Sequence, residues 1–182
     1  MMNDAHRYLE NLRSQDRDIQ NEAYNELLTL TSEKVEWAYE LWDALVQDLK
    51  HKDNHVRSIA AQLLCNLAAH SDPEGRIFRD FPALIQLTKD KRFVTARHGL
   101  QSLWKIGLAG DKQKQLLMEE LGERYRTAME EKNGTLVRFD IVQGMRHLYD
   151  QDPDETIKQL ALEWIEAEED PKYRKKYGAV WK

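Results

Sequence analysis

The chain has 182 residues, 41% of them hydrophobic and 32% charged, and a formal net charge of −5. That length can bury a sizeable core in one domain or one short array of repeats, and the negative balance excludes a protein whose whole surface binds nucleic acid. Eight Gly and four Pro are too few to punctuate an all-β chain and ample for helices joined by short turns.

Apolar spacing predicts nine helices and a C-terminal cap. Helix one runs from Asn3 to Arg13, with Ala5, Tyr8, Leu9 and Leu12 on one face. A polar turn over Ser14–Asp18 leads to helix two, which carries Ile19, Ala23, Leu27 and Leu30 inward. Ser32 is expected to cap helix three, whose broad apolar face holds Val35, Trp37, Ala38, Leu41, Trp42, Leu45, Val46 and Leu49. Asp53 caps helix four, with Val56, Ala60, Leu63, Leu64 and Leu67 on one side.

Ser71-Asp72-Pro73-Glu74-Gly75 is a turn. Helix five follows, with Ile77, Phe78, Phe81, Leu84, Ile85 and Leu87, and Pro82 predicts a kink or a fresh start at Phe81. Helix six carries Phe93, Ala96, Leu100, Leu103 and Trp104 and ends at Gly107 and Gly110. Helix seven spans Lys112–Lys132, with Leu116, Leu117, Leu121, Tyr125 and Met129 inward. Asn133-Gly134 turns into helix eight, with Val137, Ile141, Met145 and Leu148. Pro153 is expected in the first turn of helix nine, which buries Ile157, Leu160, Ala161, Trp164 and Ile165 and stops at Pro171. The last stretch, KYRKKYGAVWK, offers Tyr173, Tyr177, Val180 and Trp181 as a short basic cap.

The even helices repeat one another. Ile19-Gln20, Val56-Arg57, Ala96-Arg97 and Val137-Arg138 occupy one slot, at spacings of 37, 40 and 41 residues. Four residues after each apolar member stand Ala23, Ala60, Leu100 and Ile141, and four later Leu27, Leu64, Trp104 and Met145. A helix pair with a period of about 40 residues marks a HEAT or armadillo array. Asp53-x-x-Val56-Arg57-x-x-Ala60 resembles the second-helix pattern of HEAT repeats, sharply in the second pair and loosely in the others.

The resemblance implies an all-α solenoid of antiparallel helix pairs, stacked in a right-handed curve with a C-terminal cap. It covers residues 1–182 as one domain, with approximate repeats 3–31, 32–70, 74–109 and 110–151, and a terminal helix and cap over 153–182. It also implies an Asp–Arg ladder along the second helices. Asp16 and Asp53 stand four residues before the first two slots, whereas Phe93 and Gly134 stand before Arg97 and Arg138. Arg97 is therefore expected to reach back to Asp53, and Arg138 to lack a ladder acid.

Second helices line the concave face in HEAT arrays. Two columns are expected to point outward there: Asn21, Ser58, His98 and Phe139, then Asn25, Gln62, Ser102 and Gln143. Cys65, Lys105 and Arg146 lie farther along. The candidate binding residues are Arg97, His98, Lys105, Arg138, Gln143 and Arg146, a basic strip suited to an acidic partner segment. The bland reading of these arginines is a ladder that holds repeats together.

Chemistry finds little support. Cys65 is the sole cysteine, which excludes an internal disulfide and a Cys-based zinc site and suggests the cytoplasm. The N-terminal MMNDAHRYLENLRS lacks the apolar core of a signal peptide, and no apolar run approaches the roughly 18 residues of a membrane span. His51 and His55 are four apart but frame Lys52, and no third ligand is evident. No phosphate loop, nucleophile elbow or dinucleotide fingerprint occurs. No His-Glu pair occurs, against the HEAT-like iron hydroxylases, and nothing singles out a tetrapyrrole-lyase scaffold. The expectation is a non-enzymatic module without cofactor or metal that binds a protein partner. The alternative resembles the HEAT-like alkylpurine DNA glycosylases, with Asp140 and Phe139 as its acid and aromatic.

Overall fold

The computed structural model describes residues 2–182, with side chains from Asp4 onward. Ten α-helices follow one another: α1 (Met2–Leu12), α2 (Arg17–Thr31), α3 (Ala38–Asp48), α4 (Asn54–His70), α5 (Ile77–Leu87), α6 (Phe93–Leu100), α7 (Asp111–Thr127), α8 (Gly134–Gln151), α9 (Glu155–Glu166) and α10 (Pro171–Val180). Two 3-10 segments, Leu103–Ala109 and Ala128–Glu130, follow α6 and α7. No strand occurs among the described residues.

The helices form two layers. In one, α2, α4, α6, α8 and α10 run side by side in chain order. In the other, α1 packs on α3 and α7 on α9. Each helix of a pair has more apolar surface than its partner can cover, so neighbouring pairs must stack. Helix α4 is the hub, touching α2, α3, α5, α6 and the first 3-10 segment. Thirteen of its 17 residues are buried, which is why its sequence is apolar nearly all round. Asp53 caps it, accepting from the His55 amide at 2.9 Å.

Several expectations need correction. Ile19 is 43% exposed and Gln20 fully buried, because the Gln20 amide donates to the Leu12 carbonyl at 2.8 Å and stitches α2 to the end of α1. Leu30, Phe78 and Met129 also face solvent. Ser32 donates back to the Thr29 carbonyl, and α3 starts only at Ala38 with no side-chain cap. Helix α5 runs unbroken through Pro82, which sits on its exposed side, where helix carbonyls reach water. Pro153 lies outside α9, whose cap is Asp154.

The sixth helix breaks at Gln101. The Ser102 hydroxyl donates to the His98 carbonyl at 2.8 Å, a bond that bends helices. The chain then tightens into the 3-10 segment, which packs against α4, α7 and α8. Gly107 permits that approach: a Cβ there would stand 2.7 Å from Leu148 Cδ2. The basic cap is a full helix, α10, with Asp170 capping it and Pro171 in its first turn.

Candidate interaction surface

An arginine ladder runs the length of the stack, opposite in direction to the expected one. Arg17 donates to Asp53 at 2.8 Å, Arg57 to both oxygens of Asp90 at 2.7 and 3.0 Å, and Arg97 to both oxygens of Asp140 at 2.9 and 2.8 Å. Arg138 donates to Glu168 at 2.6 Å. Each arginine stands early in an even helix and reaches forward to an acid of the following repeat. Arg97 therefore pairs with Asp140 rather than Asp53, and Arg138 does have an acid. Asp53 stands in the aligned slot, but Asp90 and Glu168 sit in turns and Asp140 lies inside α8, outside it. Burial alone would raise the Asp53 pKa, but Arg17 and the His55 N–H groups outweigh it and hold the carboxyl at about 2.

Five of the six candidate residues stand on α6 and α8, and Lys105 stands in the first 3-10 segment. Among the described residues no ion pair or hydrogen bond joins any two of them. Arg97 is held by Asp140, which is only 2% exposed. Arg138 lies against the Tyr125 ring and donates to the Tyr125 carbonyl. Arg146 pairs with Asp150 at 2.9 Å and covers Trp181. Lys105 donates to the Asn66 amide oxygen at 2.9 Å, a neutral acceptor, and meets no carboxylate among the described residues. Gln143 is half-buried on α8, and its amide makes no hydrogen bond among the described residues. The continuous basic strip is thus largely neutralised, and Lys105 is its remaining cation.

What emerges instead is a polar cleft of about 210 Å³ where α2, α4 and α6 meet. Tyr24 donates to Gln62 at 2.5 Å, and the Gln62 amide donates to Ser58 Oγ at 3.1 Å. Ser58 Oγ lies 2.5 Å from His98 Nδ1. Burial first, then Arg97 and His55, lowers the His98 pKa, which favours a neutral ring as the hydrogen-bond partner of Ser58 Oγ. This pair is not a built nucleophile. Ser58 is 6% exposed inside a helix whose amides are already bonded, and no carboxylate orients His98 among the described residues. Tyr24 was absent from the expected columns, although it stands one residue before Asn25 in the repeat.

Cys65 belongs to the core, not to this face: it is fully buried. Burial pushes its thiol up to about 12, with Lys105 opposing. The thiolate is the reactive form, so Cys65 is expected to resist thiol reagents at pH 8 in the folded protein and to label fully in denaturant. Fast labelling without denaturant would contradict this burial. His51 and His55 both turn to Asp53, one accepting from its amide at 3.0 Å and one meeting its carboxylate at 3.1 Å. No helix among the described residues is long and apolar enough to cross a membrane.

No family model matches the chain, and no curated protein matches it. Solved structures do. An engineered protein superimposes with a TM-score of 0.57 at 19% identity, over 97% of this chain and 77% of its own. The designed armadillo repeat protein YIII(Dq)4CqI gives 0.50 at 16% identity, over 95% and 79%. The fold is an armadillo- and HEAT-like helical repeat. A second designed armadillo repeat protein, YIII(Dq.V1)4CPAF, solved in complex with peptide (KR)4, gives 0.50 at 17% identity, over 96% of this repeat chain and 87% of that one.

Proposed function

We propose that the protein is a non-enzymatic interaction module that binds an extended segment of another protein across the concave face of its even helices. The observation that carries this reading is a pair of amide side chains at the same repeat position of α2 and α8, exposed Asn25 and half-buried Gln143. Gln62 holds that position on α4, where its amide already meets Tyr24 and Ser58, and buried Ser102 holds it after α6. An extended peptide presents unpaired backbone N–H and C=O groups, and an amide side chain can serve both. The designed armadillo protein in complex with peptide (KR)4 supports a repeat groove as a peptide site. Charge preference there is set by side chains rather than by the fold. Here Lys105 is the unmatched cation, so the segment is proposed to place an acidic residue against it. The single buried thiol fits a proposed cytoplasmic setting.

The DNA-handling alternative is less favoured. Its acid, Asp140, is 2% exposed and doubly bonded to Arg97, so it cannot meet a substrate without breaking the ladder.

Selection of a displayed peptide library on the wild-type protein tests the proposal. The selected peptides should share an acidic position. Lys105→Glu with Gln143→Glu should weaken them about tenfold or more, with the remaining affinity less sensitive to salt. Arg146 is spared because it packs on Trp181. Equal binding by wild type and variant would reject the concave face.

A further inference from the structure

We propose that the edge formed by the α3–α4 and α5–α6 turns is a second docking surface, one that takes an acidic segment of another protein carrying an apolar side chain. A cleft of about 470 Å³ opens there, lined by Lys50, Lys52, Lys89 and Lys91. All four lysines are exposed. The lysines that find carboxylates among the described residues are Lys34 and Lys114, both elsewhere. The one acid lining the cleft, Asp90, is spent on Arg57 through two hydrogen bonds. The cleft is therefore a net positive site on a chain of net charge −5.

Ordinary helix electrostatics explain only half of this cluster. Lys50 and Lys89 follow the C-termini of α3 and α5, where a cation complements the helix dipole. Lys52 and Lys91 each stand immediately before the N-cap of α4 or α6, where a cation is unfavourable. The two Lys-x-Lys turns occupy one slot in successive repeats, 39 residues apart. Stacking thus brings two unfavourable cations beside two favourable ones at a single opening. Mutual repulsion of four like charges lowers stability unless something anionic occupies the space.

The shape of the opening selects the anion. Its floor carries Leu49, Ala83 and Leu87, which suit an aliphatic or aromatic side chain. A nucleic-acid backbone has no such group to place there and would also meet the protein's negative net charge. An acidic peptide with one apolar residue between its carboxylates satisfies floor and rim together. This surface lies at the helix ends, apart from the concave face, and does not depend on the peptide reading of that face.

The test is fluorescence anisotropy with a labelled peptide of repeated Glu-Glu-Leu, beside a Lys-Lys-Leu control and a short DNA duplex. Wild type should bind the acidic peptide alone, and the affinity should fall steeply between about 20 and 150 mM salt. Lys52→Glu with Lys91→Glu should cost about tenfold or more, because two attractions become repulsions. Thermal melting of that variant should be unchanged or raised, since both residues oppose a helix dipole. Ala83→Glu should weaken binding with the lysines intact. Lys112→Glu, exposed on α7 and away from both surfaces, should leave it unchanged. Equal affinity of wild type and the double variant, an equal loss in Lys112→Glu, tighter binding of DNA, or no preference over the basic control would each overturn the assignment.

Discussion

Removing residues 171–182 is expected to unfold most of the protein at 37 °C. The segment carries Tyr177, fully buried, and Trp181, 7% exposed, both seated on α8. Deleting one buried aromatic costs about 3–5 kcal/mol. Losing two therefore removes at least about 6 kcal/mol from a total that is typically about 5–15 kcal/mol. The deletion also strips cover from the face of α8 that carries Thr135 and Val142. Trp181→Ala alone should cost about 3 kcal/mol, mostly as lost packing, because the Val142 carbonyl that accepts its indole N–H also serves the helix. Urea unfolding of the intact chain, the point variant and the truncated chain checks this. A truncated chain with the midpoint of the intact one would show that α10 is no cap.

Arg57→Ala is the second large effect. The Arg57 and Asp90 side chains are 8% and 9% exposed, and Arg57 also donates to the carbonyls of His51 and Lys52. Taking away the guanidinium leaves a desolvated carboxylate and two carbonyls short of a donor, a loss of about 3–5 kcal/mol. The pair's own net worth is much smaller, because both ions gave up water to meet. Arg57→Leu combined with Asp90→Asn should therefore be more stable than Arg57→Ala alone, and its loss should fall well short of the sum of the single losses. Asn at 90 can still accept from the Arg92 amide, as Asp90 does at 2.8 Å. Additive losses would mean that the two side chains do not act as a unit.

The fold was legible in the sequence to a large extent. The recurrence of Val56-Arg57 in four slots anticipated that α4, α6 and α8 run side by side, and they do. Asp53 as the cap of α4 and Trp181 and Tyr177 as cover for the last helices were read correctly. The errors share a physical cause. Ile19 matched the apolar slot by spacing, but the Gln20 amide takes the inward position by donating to the Leu12 carbonyl, which leaves Ile19 43% exposed. Helix six matched a full-length period, but Ser102 back-bonding and the space Gly107 leaves for Leu148 come from packing, not from periodicity.

The sequence by itself determined the helical class, the repeat period of about 40 residues and the apolar seam, because those follow from spacing along one chain. It also placed arginines at a recurring position. Only the tertiary structure decided what their charges meet. A side chain's partner depends on which turns the stacking brings together, and carboxylates such as Asp90, Asp140 and Glu168 lie 30 to 43 residues from the arginines they hold. That pairing neutralised Arg97 and Arg138 on the expected basic strip and left the lysines of the α3–α4 and α5–α6 turns uncompensated. Net charge is a sum over residues and can be read from the chain. Where charge stays free is a matter of distance, and distance is fixed by the fold.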